Sequence, residues 1–81
     1  MPVSSLLLTL RNGDEHELFS LLEHFPSVVS AHRKGSRVAL VLETRSAEEA
    51  RERWEELSAL DGVISLNLVY HNVEDLSEVD P

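Results

Sequence analysis

The sequence has no cysteine, so it carries no disulfide framework, no thiolate nucleophile and no Cys-ligated zinc or iron–sulfur site. A reducing cytosol is the simplest home for such a chain. Basic residues are also few: seven Lys and Arg stand against 15 Asp and Glu, a net charge of −8. That balance opposes binding to a polyanionic phosphate backbone and disfavours nucleic acid as a partner. Charge, where it is used, should draw a basic ligand or basic peptide. No apolar run is long enough to span a bilayer, and no basic residue precedes the apolar stretch of MPVSSLLLTLR. Neither a signal peptide nor membrane insertion is expected. Glycine is limited to Gly13, Gly35 and Gly62, each explained by a turn or a cap, which leaves no Gly-rich ligand or oxyanion loop.

What is present suits one small domain. A chain of about 60 residues buries only ~60% of its unfolded surface, so these 81 residues lie near the lower limit for a single core. A large internal active-site cavity is not expected. The apolar content of 42% falls in runs broken by turn residues, the mark of a folded domain rather than a disordered chain.

Val3 to Arg11 reads as a strand ending at the Asn12-Gly13 turn signal. From Asp14, Leu18, Leu21, Leu22 and Phe25 follow helical spacing, with Asp14, Glu15 and Glu17 where the helix dipole favours anions, and Pro26 stops the helix. Val28 to Arg33 is a short strand, Lys34-Gly35-Ser36 a hairpin turn, and Arg37 to Glu43 a third strand. Ser46-Ala47-Glu48-Glu49 is a capping box that opens a second helix with Ala50, Trp54, Leu57 and Leu60 facing inward, closed by Asp61-Gly62. Val63 to Tyr70 is the fourth strand. The halves resemble each other, Phe25-Pro26-Ser27-Val28-Val29-Ser30 against Leu60-Asp61-Gly62-Val63-Ile64-Ser65. Two interleaved β-α-β units predict an α+β, ferredoxin-like βαββαβ sandwich: a four-stranded antiparallel sheet, order four-one-three-two, with two helices on one face. The domain is expected over residues 1–71, with 72–81 as an acidic mobile tail.

Strand alternation gives each strand an inner and an outer set of side chains. The heavier sets should face the helices: Leu6, Leu8 and Leu10; Val38, Leu40 and Leu42; Ile64, Leu66, Leu68 and Tyr70. The outer sets are Ser5, Leu7 and Thr9; Ala39, Val41 and Glu43; Ser65, Asn67, Val69 and His71. These are small, mildly apolar and nearly uncharged, whereas a sheet face meant for water carries charged and polar residues at such positions. Two readings stay open: a face made to be covered by a ligand with an apolar body and a cationic end, or ordinary exposed apolar residues and the seam of a homodimer.

The remaining residues carry little chemistry. His16, His24, His32 and His71 form no metal-ligand spacing, and no metal or cofactor is expected. His71 either contacts a ligand or ends the sheet. No nucleophile elbow accompanies the Ser, His and Asp residues, so an enzyme is not expected. Trp54 reads as core, and Arg51 and Arg53 with their neighbouring glutamates read as a solvated helix face. Arg33, Lys34 and Arg37 read as charges that protect an edge strand, with contact to the acidic surface of a folded client as the alternative.

Three stretches resemble a known family: Ser4-Ser5-Leu6; Gly35-Ser36-Arg37-Val38-Ala39-Leu40-Val41-Leu42-Glu43; and above all Gly62-Val63-Ile64-Ser65-Leu66-Asn67-Leu68-Val69-Tyr70-His71 before an acidic tail. Together they make the chain similar to the NapD family, cytoplasmic chaperones for the catalytic subunit of periplasmic nitrate reductase. Ser27 departs from the pattern, since the family commonly has Gly after Pro. The resemblance implies a domain that binds the twin-arginine signal peptide of the reductase precursor and holds back export until molybdenum cofactor and iron–sulfur cluster are inserted. It also implies a cytoplasmic location; the duplicated unit from Val3 to Tyr70 separately suggests a monomer or weak dimer. The competing class is a small-molecule-sensing or oligomerisation module, which the fold alone does not separate from a chaperone.

Overall fold

A computed structural model describes the backbone of residues 2–73 and the side chains of residues 2–69. The elements are β1 (Pro2–Leu10), α1 (Glu15–Glu23), β2 (Val28–Lys34), β3 (Arg37–Glu43), α2 (Ala47–Ser58) and β4 (Val63–Val73). The strands form one antiparallel sheet in the order β2-β3-β1-β4, as the duplicated β-α-β pattern requires. Leu6, Leu8 and Leu10 of β1 and Val38, Leu40 and Leu42 of β3 form the core with Leu22 of α1 and Leu57 of α2. Because one cluster contains buried residues of both helices, both cover the same face of the sheet. Each such Leu, buried fully, contributes about 1.5–3 kcal/mol.

The helices start and stop on local chemistry. At α2 the Ser46 Oγ accepts a hydrogen bond from the Glu49 N–H at 3.1 Å, as the capping signal predicts. The return bond differs by one residue: the Glu49 carboxylate accepts from the Arg45 N–H at 2.8 Å rather than from Ser46. In α1 only Leu22 is buried, and Leu21 is 47% exposed. Nine residues make two and a half turns, so a single position reaches the centre of the core while its neighbours lie along the margin.

The central pair β1–β3 runs in unbroken register, whereas both edge strands are bulged. Val29 is the extra residue of β2, and Ile64 and Val69 are the extra residues of β4. All three are exposed, at 59%, 64% and 66%. The inward position expected for Ile64 is therefore overturned. Val63 takes it instead, paired with Leu10 and packed against the core. Leu66 pairs with Leu8 and Leu68 with Leu6 as alternation requires, but Leu68 remains 53% exposed at the margin of α2. Bulges on edge strands interrupt the ladder and deter pairing with a second sheet. The strand reaches Val73, and the acidic residues 74–81 lie outside the described residues.

Candidate functional site

The face away from the helices is ordered in rows across the strands. Antiparallel partners share a face, so the register sets its composition. One row joins Ser30, Val41 and Ser5; the next joins His32, Ala39, Leu7 and Asn67; a third joins Lys34, Arg37, Thr9 and Ser65. Glu43 pairs with Val3 at the opposite end. Eight of the expected residues, Ser5, Leu7, Thr9, Ala39, Val41, Glu43, Ser65 and Asn67, therefore share this face. Leu7 and Val41, on the two central strands, are half-buried by their neighbours; Ala39, Glu43, Ser65 and Asn67 are exposed.

The two remaining positions stand apart. Val69 is a bulge residue rather than a member of a row. The bulge also shifts the backbone register beyond it, so Tyr70 stands opposite Ser5 and His71 opposite Ser4. The side chain expected of His71 in the site lies outside the described residues.

Sequence reasoning missed β2 entirely as a contributor. With Val28 half-buried on the helix side, strict alternation would send Ser30, His32 and Lys34 inward as well. The bulge at Val29 reverses that parity: Ala31 and Arg33 pair with buried Leu40 and Val38, and the Arg33 guanidinium lies 5.9 Å from the Phe19 ring on α1. Ser30, His32 and Lys34 then fall on the open face. The signal was present in the adjacent β-branched pairs Val28-Val29 and Val63-Ile64, which cannot both face a core in a regular strand. Val3 and Arg37 join the face by one more step of alternation.

Charge on this surface is divided between its ends. Lys34 and Arg37 face each other at the hairpin end, Glu43 stands at the other, and none of the three has an ion-pair partner among the described residues. Other charges are tied up elsewhere. Arg11 bridges Asp14 at 2.7 Å and Asp61 at 3.0 Å; the hydrogen bonds from this guanidinium hold the Asp61 carboxyl below its usual range. The Arg53 guanidinium donates to Glu56 at 2.9 Å on α2. His24 Nδ1 lies 3.1 Å from the Ser20 carbonyl at the end of α1. Among the described residues no three His, Asp or Glu come together as a metal site, and no helix is long and apolar enough to cross a membrane.

This sheet, open on one face and duplicated about its helices, extends over nearly all of the region that the NapD protein family profile matches, residues 1–75. The chain belongs to the NapD family. It is similar to a solved NapD, described as the solution structure of the E. coli Tat proofreading chaperone protein NapD. The two superpose with a TM-score of 0.77 at 25% sequence identity, over 98% of this chain and 85% of the E. coli chain. A comparison with curated protein sequences finds no match. NapD is thus a chaperone family on a ferredoxin-like fold, and the duplicated motif, the antiparallel sheet and the paired helices of this chain are its frame.

Proposed function

We propose that this NapD family member acts in the cytoplasm as a chaperone that binds the twin-arginine signal peptide of the periplasmic nitrate reductase precursor. Binding takes place on the open face of the sheet and holds back export until the cofactors are inserted. The observation that carries this is the uncovered apolar middle of that face: Leu7 and Val41 on adjacent central strands, with Ala39 beside them and no charged residue between Arg37 and Glu43 on β3. An apolar peptide segment laid across it removes apolar area from water at about 25 cal/mol per Å². The net charge of −8 favours a ligand that carries paired arginines. In such a complex charge steers the encounter and apolar contact holds it.

Calorimetric titration with a synthetic twin-arginine signal peptide tests the proposal. The peptide should bind, with an affinity that falls as salt is raised, because exposed charges are screened within about 8 Å at physiological ionic strength. Replacing both peptide arginines by glutamine should weaken binding strongly, and replacing them by lysine should weaken it less. Equal affinities for all three peptides would remove the electrostatic part, and absence of binding would overturn the proposal.

A further inference from the structure

The open face is electrically asymmetric along its strands, and a signal peptide is asymmetric too. Such peptides begin with a basic region that is followed by 7–15 apolar residues. We infer that the bound peptide runs along the strands in the same direction as β1, with its arginines at Glu43 and its apolar run extending over Val41, Leu7 and Ala39 toward Lys34 and Arg37. This rests on the peptide-binding function proposed above and adds the direction of binding.

Three observations support it. First, the charges sort by end. Lys34 and Arg37 are direct partners in the register, so a peptide arginine brought to that end meets two cations at once, whereas at the other end it meets Glu43. Reversal is thus opposed by repulsion as well as by a lost attraction. Second, the nearby countercharges do not cancel this difference. Asp14 and Asp61, in the loops beyond the hairpin end, are both engaged by Arg11. Arg45, just past Glu43, lies 3.6 Å from Glu49 of α2. Third, the dimensions match. Six strand steps of ~3.3 Å separate Arg37 from Glu43, about 20 Å. An apolar run of 7–15 residues covers about 10–22 Å as a helix, whereas most such runs would overshoot the sheet if extended.

The experiment uses the isotope-labelled full chain and two versions of one synthetic peptide, two adjacent arginines followed by about 12 apolar residues. One version carries a nitroxide before the arginines, the other after the apolar run. The first should broaden the amide signals of Val3 and Glu43, and the second those of Thr9, Lys34 and Arg37. The opposite pattern, or equal broadening of both ends by both labels, overturns the inference and leaves the peptide-binding function standing. Failure of both peptides to perturb the sheet overturns that function as well. Glu43→Gln should weaken binding only about two- to fivefold, as for an exposed charge pair. Lys34→Ala with Arg37→Ala should let each label broaden both ends. A double variant that still shows one sharp direction would exclude these two residues as its cause.

Discussion

Ser27 and Gly62 occupy equivalent points in the two halves of the chain, and both have positive φ, 75° and 100°. The Ser27 carbonyl accepts from Glu43 N–H at 2.9 Å, and the Gly62 carbonyl accepts from Arg11 N–H at 2.8 Å. The next residues, Val28 and Val63, donate to the carbonyls of Phe25 and Leu60. Each half therefore leaves its helix through a left-handed residue, turns one valine inward and then bulges at Val29 or Ile64.

The two positions should respond to substitution in opposite directions. A serine at positive φ is strained where glycine is not, so Ser27→Gly should stabilise by about 0.5–1 kcal/mol despite the added freedom of the unfolded chain. A thermal melt should show a rise of about 2–8 °C. Gly62→Ala should destabilise by about 1–2 kcal/mol, because φ of 100° is poor for alanine and its Cβ would lie 2.5 Å from Leu18 Cδ1. Leu18 can move to relieve the contact, but the backbone strain stays.

Val41→Asp and Leu7→Asp should abolish peptide binding in a chain that still folds. Both side chains point away from the core formed by Leu6, Leu8, Leu40 and Leu42, so the loss of stability should stay near 1 kcal/mol, the span of strand propensity. A bound apolar segment would have to cover an unpaired carboxylate, which costs several kcal/mol, or at least about a hundredfold in affinity. Titration of each variant, paired with a melt, separates the two effects. Normal folding with undiminished binding of Val41→Asp would sink the assignment of this face. Glu55→Gln, on the exposed side of α2, is the control and should bind like the parent.

The bulges make a prediction about neighbours. Ile64 is 64% exposed, so Ile64→Thr should change stability by no more than about 0.5 kcal/mol. Val63 packs against the core, and Val63→Ala should cost about 1–2 kcal/mol in a urea titration. Equal costs would mean that the register of β4 differs from the one described.

Two carboxylates should make the fold sensitive to acid. The Glu49 carboxyl is held below its usual range chiefly by the hydrogen bond from the Arg45 N–H, and that of Asp61 chiefly by the side-chain hydrogen bonds from Arg11. A group whose folded pKa is depressed binds its proton more readily when unfolded. Its contribution is therefore complete above the usual carboxylate range, and it is lost as pH falls from about 4 through the lower folded values. Urea midpoints measured from pH 7 down to about pH 2 should fall less steeply for a Glu49→Gln, Asp61→Asn variant than for the parent. Ser46→Ala removes the other half of the α2 cap and should cost about 1 kcal/mol across that range.

Local patterns were enough to determine the elements, their order, the sheet topology and the core of the central strands. The helical spacing around Leu22 and Leu57, the Ser46 cap and the Gly35 hairpin turn act over a few residues and need no distant partner. In β1 and β3 alternation holds from end to end, so Leu7, Ala39 and Val41 could be assigned to the open face from the sequence. Only the tertiary structure decided the parity of the edge strands. One inserted residue turns every later side chain of a strand to the other face, and whether it is accommodated depends on the partner strand rather than on the strand itself. Val29 thereby brought Ser30, His32 and Lys34 onto the open face, and Ile64 gave its inward place to Val63. The basic end likewise doubles its charge only once β2 lies beside β3, because Lys34 and Arg37 become one cationic edge through pairing.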